Sequence, residues 1–456
     1  MRKLKNILYL ACLLITSIVV TACSSKVGDD TAPTPTVAAS ATPVATSTPE
    51  ATPTPEATPT PMPTATPEPT PTMSPAELYQ EAIEKSLLDT GNNYRLKRVL
   101  EKARAGEDIY VCALGGSVTE GALAKTNDDG YAYLFANEFK SAFCPGDGSN
   151  FHFVNAGLSG TPSCLGIIRY QKDVVDLLGD KPDILIIEFA INDYNEPTKG
   201  RAYESLIRKA LEANEDCAVL LLYSIARTGW NMQDSYIKMG KHYGVQQVSI
   251  KNALYITSKK MRVAESVYFA DDYHPTTYGH KLMKDCMMNL VSAVDEEEPD
   301  ESFDIPEKDM VGSDFKDLVM VDSTTQSGSG ISIDPGSFSD RDGAVVSMYF
   351  TKSSSFPDNF AHKAGSDNKP FKMTVNCKNI LINYKTSSSS DFGKADFYID
   401  GELVTTVDGH SGGAWNNCNV IQLLRQNEAS EHVLEVKMSD GSEDKAFTIL
   451  SIGYTE

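Results

Sequence analysis

In the segment VCALGGSVTEG, residues 111–121, an apolar run stops at Gly115-Gly116 and Ser117 follows at once. Glycine adopts backbone angles that other residues avoid, so the pair permits a sharp turn that holds a serine up at a strand end. A serine hydroxyl becomes a nucleophile only when a nearby base takes its proton. The segment FADDYHPTTYGH, residues 269–280, contains the partners for that chemistry. His274 is the candidate base, and later the acid for the leaving group. Asp271, three residues before it, is placed to orient the imidazole and stabilise its cation. Asp272 competes for that role, but residues three apart face one side of a turn and adjacent residues do not. His280, six positions beyond His274, falls within a helical pattern and reads as structural. The chemistry also needs hydrogen-bond donors for a developing oxyanion. Two further stretches, Asn155-Ala156-Gly157 and Ile191-Asn192-Asp193, each close an apolar run.

Positioning these groups requires strands that end together. Short apolar runs at Ile109–Leu114, Phe151–Ala156, Ile184–Ala190, Ala218–Ile225 and Val245–Ile250 alternate with amphipathic stretches. Those stretches are Tyr131–Phe143, Tyr170–Leu178, Tyr203–Ala213 and Ser235–Tyr243, and a last helix spans Tyr278–Val294. Buried strands alternating with helices predict a parallel sheet covered on both faces, with ligands at the carboxyl ends of its strands. After the acidic stretch Asp295–Asp300 the helical pattern fades. FKMTVNCKNILINYKT, KADFYIDGELVTTVDG, HVLEVKMSD and AFTILSIGY alternate apolar and polar residues, with a hairpin expected at Asp400-Gly401. This predicts an all-β sandwich of jelly-roll type. The expected layout is a signal segment at 1–22, a linker at 23–73, an α/β domain at 74–300 and the β-sandwich at 301–456.

Taken in order, Gly115-Gly116-Ser117, Asn155-Ala156-Gly157, Ile191-Asn192-Asp193 and Asp271-x-x-His274-Pro275 resemble the four blocks of the SGNH hydrolase superfamily, the GDSL-type esterases and acylhydrolases. The resemblance covers residues 108–293. It departs at Gly116, where the family name implies aspartate, a residue outside the family's triad. The resemblance implies a flavodoxin-like three-layer α/β/α fold and a triad of Ser117, Asp271 and His274. It further implies an oxyanion hole made by the Ser117 and Gly157 amides and the Asn192 side chain, and no metal or organic cofactor.

The remaining features concern location and substrate. Arg2, Lys3 and Lys5 precede an apolar run, Ile7–Val20, that fits an export signal and is short for a membrane span. It ends in Val-Thr-Ala-Cys-Ser, which resembles a bacterial lipobox and makes Cys23 the expected lipidated residue, anchoring the protein to a membrane outside the cytoplasm. Residues 31–72 are a Thr/Pro/Ala tract without the large apolar residues of a core, which reads as a semi-rigid stalk. The 456 residues carry 41 basic and 62 acidic side chains, net −21, which argues against nucleic acid as a partner. Seven of the nine cysteines fall after Cys23 without metal-ligand spacing. Export, a stalk and an appended β-domain, joined to the family resemblance, imply an enzyme that removes O-acetyl groups from polysaccharide. Trp230, after the fourth of these strands, is a candidate wall for a sugar ring. Three other readings stay open: a short-chain lipid or general acyl esterase, an O-acetyltransferase using the same triad, and a non-catalytic surface glycan-binding protein.

Overall fold

In the computed structural model, which describes residues 73–456 apart from 259, 329 and 348–353, the first element starts at a capping box. The Ser74 hydroxyl accepts from the Glu77 amide, and the Glu77 carboxylate accepts from the Ser74 amide. The expected signal segment, Cys23 and the Thr/Pro tract lie outside the described residues. The elements then follow as α1 (Pro75–Ser86), β1 (Leu87–Asp89), α2 (Tyr94–Ala105), β2 (Ile109–Gly115), α3 (Ser117–Glu120), α4 (Tyr131–Phe143) and β3 (Phe151–Gly157). Next come α5 (Ser163–Tyr170), β4 (Ile184–Glu188), α6 (Arg201–Ala213), β5 (Ala218–Tyr223), α7 (Gln233–His242) and β6 (Gln246–Ser249). Short α8 (Ile250–Leu254), the hairpin β7 (Tyr255–Thr257) and β8 (Lys260–Met261), and α9 (Glu265–Tyr268) lead to the long α10 (Thr277–Glu296).

The sheet order is β1-β6-β5-β4-β2-β3. Strands β2 to β6 are parallel, as their apolar runs predict, while β1 pairs antiparallel with β6 at the edge. Alternate residues of each strand serve opposite faces. On β4, Leu185 and Ile187 pack into the core beneath α5 and α6, and Ile184 and Ile186 into the core beneath α2, α4 and α10. The stretch Tyr170–Leu178 is helical as expected, largely as a π-helical turn at Gln171–Asp176, but the helix begins earlier than expected, with α5 at Ser163. Every residue of α5 is buried, so its sequence lacks the amphipathic period by which a surface helix is recognised.

The second half of the chain is an antiparallel β-domain: β9 (Val319–Val321), β10 (Ile331–Asp334), β11 (Phe360–His362), β12 (Phe371–Ser387), β13 (Lys394–Ile399), β14 (Glu402–Asp408), β15 (Trp415–Met438) and β16 (Phe447–Thr455). The hairpin joining β13 and β14 turns at Asp400-Gly401 with both φ angles positive, 54° and 85°. β12 and β15 are long and pair with each other across a shift near Cys377–Asn379, wrapping one apolar core.

The β-domain does not hang free. Leu318, Val345, Val346, Phe356, Leu381, Cys418 and Leu450 belong to the same buried cluster as α5 and α6, and residues 73–456 form one unit. The connecting segment is fastened to α6: the buried Glu204 carboxylate accepts the amides of Met310, Val311 and Gly312 at 2.6, 2.7 and 2.8 Å. The cysteines described are free thiols, Cys144 and Cys164 included.

Candidate active site

β2 ends in a turn whose glycines answer to space. Neither Gly115 nor Gly116 has a positive φ. A Cβ on Gly115 would collide with the Thr119 hydroxyl, and one on Gly116 with the Asn192 side chain. The expected reason for these glycines, backbone freedom, is therefore replaced by close approach. An aspartate at position 116 would need the volume that Asn192 fills.

Ser117 opens α3, and its Oγ lies 2.8 Å from His274 Nε2. His274 Nδ1 lies 2.8 Å from Asp271 Oδ2 and 3.0 Å from Oδ1. Asp271 Oδ1 also accepts the amides of Tyr273 and His274, each at 2.8 Å, which fixes the loop around the pair. Thr276 then caps α10 by accepting the Gly279 amide. Partial burial alone would raise the Asp271 carboxyl, but the His274 imidazole and the two amides outweigh it and hold the group at about 2. Asp272 points away: its side chain is largely exposed and faces Arg227. His280 is buried with Nδ1 accepting the Tyr131 amide, and burial lowers it to about 4, so it is a neutral packing residue.

The three expected oxyanion donors divide. The Ser117 amide begins a helix and has no intrahelical acceptor. Asn192 stands over Gly116 with its amide group unpartnered among the described residues. Gly157 differs from the expectation: it is the last residue of β3, its amide donates to Asn155 Oδ1 at 2.9 Å, and its Cα is pressed against Thr119 and Glu120. Its donor is committed to the strand end. Three residues past that block, in the loop after β3, Gly160 has an amide with no partner among the described residues. Position past the strand end is the signal that separates the two glycines. Ser159 beside it is bonded to the Glu120 carboxylate, holding this loop against α3.

Two buried polar side chains frame the turn: Arg169, which sequence reasoning passed over, and Asp193, whose motif it named without assigning the residue a role. Arg169 on α5 donates to the carbonyls of Gly115 and Ala156, at 3.0 and 2.7 Å, tying the ends of β2 and β3 together. Asp193 accepts from the Ser163 amide at 2.7 Å and the Tyr236 hydroxyl at 2.6 Å, which anchors the loop bearing Asn192.

Aromatic rings stand on these loops. Trp230 is half-buried and meets the exposed Tyr194 edge to face, with centroids 5.4 Å apart. Tyr273, between Asp271 and His274, is exposed. From the β-domain, Trp415 is 52% exposed and its ring would lie 3.0 Å from a Cβ on Gly160.

A serine, a histidine and a carboxylate in a continuous relay on the strand-end loops of a parallel sheet are the arrangement of a serine hydrolase. Residues 113–282 match the model of the GDSL-like lipase/acylhydrolase family, over the stretch that holds Ser117, Asn192, Asp271 and His274. The fold of both domains together is similar to a crystal structure described as a two-domain esterase active on acetylated mannans. The TM-score is 0.70 at 24% identity, over 82% of this chain and 99% of that one. A second crystal structure of such an esterase, co-crystallised with mannopentaose, gives a TM-score of 0.68 at 23% identity, over 82% and 98% of the two chains. No curated protein sequence matches the chain.

Proposed function

We propose that this protein removes O-acetyl groups from a polysaccharide, through an acetyl-serine intermediate on Ser117. The observation that carries the reading is the unbroken relay from Ser117 Oγ through His274 to Asp271. In the first step His274 Nε2 takes the Ser117 proton as Oγ attacks the acetyl carbonyl. The oxyanion is received by the Ser117 and Gly160 amides and the Asn192 side-chain amide. Collapse breaks the ester C–O bond, and the sugar oxygen leaves with the proton from His274. Water then attacks the acetyl-serine with His274 as base, releasing acetate and restoring Ser117.

The substrate class rests on the fold shared with esterases active on acetylated mannans and on the aromatic rim of Tyr194, Trp230, Tyr273 and Trp415, which suits the apolar faces of sugar rings. The lipobox-like Cys23 and the Thr/Pro tract support a location outside the cytoplasm, on a lipid anchor. The decisive measurement is acetate release from acetylated mannan and xylan beside nitrophenyl acetate and a long-chain nitrophenyl ester. The expected pattern is release from at least one polysaccharide and from the short ester, abolished in Ser117→Ala. Activity confined to the long-chain ester, or retained in Ser117→Ala, overturns the reading.

A further inference from the structure

Glu188, the last residue of β4, is fully buried next to the turn that carries Ser117, and no step above uses it. Its backbone carbonyl accepts the Gly116 amide at 3.3 Å. Its Oε2 accepts the Thr119 hydroxyl at 3.0 Å, and its Oε1 accepts the Ser224 hydroxyl from the loop after β5. Thr119 Oγ1 lies 2.9 Å from the Tyr131 hydroxyl. Since Thr119 gives its one proton to the carboxylate, Tyr131 must donate to Thr119. The result is a directed chain from α4 through α3 to β4, with a second arm from β5. Thr119 sits two residues after the nucleophile, with its hydroxyl wedged against Gly115 so closely that no Cβ fits there.

We propose that Glu188 is a positioning residue for the nucleophile: by gripping the Thr119 hydroxyl and the Gly116 amide it sets the rotation of α3, and so aims Ser117 Oγ at His274 Nε2. A buried carboxylate is costly unless its oxygens are bonded, and here both are. The inference rests on Ser117 being the nucleophile. Burial raises the Glu188 carboxyl to about 7, against the lowering by Ser224 and Thr119. The titratable groups facing it are Asp193 from the loop after β4, Tyr131 from α4, Tyr203 from α6 and Tyr268 from α9, none of them cationic. When Glu188 takes up a proton it becomes a donor, and one of its two hydroxyl partners must turn round. The grip on Thr119 therefore depends on pH near neutrality.

The test uses Thr119→Val, which keeps the shape and removes the hydroxyl, with Thr119→Ser as the conservative variant and Glu188→Gln as the second probe. Three quantities are read in the full chain: the rate of Ser117 labelling by a fluorophosphonate, kcat and KM on nitrophenyl acetate, and the pH profile of kcat from 5.5 to 8.5. Thr119→Val and Glu188→Gln should slow labelling and kcat on the order of tenfold with KM unchanged, since misaimed reacting groups cost rate more than binding. Thr119→Ser should recover most of the loss, and the profile of Glu188→Gln should differ in shape from wild type between pH 6 and 8. If Glu188→Gln does not fold, Thr119→Val decides alone. Wild-type kcat and labelling in Thr119→Val, even with a lowered melting temperature, overturns the positioning role. Failure of the wild-type serine to label overturns the nucleophile assignment itself, and is thereby told apart.

Discussion

Asn192, the proposed oxyanion donor, occupies the space that a side chain on Gly116 would need, so the residue before Ser117 is small because Asn192 lies against it. If that is its role, Asn192→Ala should lower kcat on the order of a hundredfold or more and leave KM nearly unchanged, the pattern of a donor used only in the transition state. Steady-state kinetics on nitrophenyl acetate separate this from a loss confined to KM, which would mark ground-state binding. At this scale the triad is legible from type and spacing: a serine after two glycines, and an aspartate three before a histidine. The choice between Gly157 and Gly160 is not. It depends on where β3 stops pairing, and Gly157 is still opposite Gly115 in the ladder.

At the scale of elements, β4 and the turn after it bear two buried carboxyls, Glu188 and Asp193, each raised by burial to about 7. In the unfolded chain they titrate near 4.5 and 3.8. Between those values and about 7 the folded protein binds more protons than the unfolded one, so stability falls as pH rises through that window and levels off above it. Asp271 and His280 act the other way. The Asp271 contribution is lost only as pH falls from 3.8 through about 2. His280, lowered by burial from 6.5 to about 4, adds stability as pH rises towards 6.5 and offsets only part of the fall caused by the two carboxyls. Melting temperature should therefore drop by a few degrees between pH 5 and pH 8. Asp193→Asn and Glu188→Gln should each flatten the slope; a melting temperature that climbs over this range would contradict the assignment. The strands themselves are legible as short apolar runs. The antiparallel β1 was not, because three residues of half-buried edge leave too little pattern, and the start of the helix at α5 was missed because α5 is buried on every side.

For the whole molecule, the question is whether the β-domain is an independent module or part of the enzyme's body. Its apolar residues complete the core beneath α5 and α6, and α5 carries the Arg169 that ties β2 to β3. Truncation at about residue 301 should therefore expose apolar surface, lower the melting temperature and reduce activity on soluble nitrophenyl acetate and on acetylated polymer together. A stable truncated protein with full activity on the small ester, and a loss only on polymer, would instead mark a tethered binding module.

What the sequence determined by itself was local: which residue types stand at strand ends, which carboxylate lies one turn from His274, and where helices give way to alternating strands. These are legible because period and short spacing act over a few residues. What only the tertiary structure decided was proximity between distant segments. Ser117 and His274 are 157 residues apart yet share a hydrogen bond. Trp415 reaches the loop after β3 from the other domain. Glu188 meets Thr119 from a different strand. Such meetings are set by sheet order and by packing across faces, which no single stretch of chain encodes.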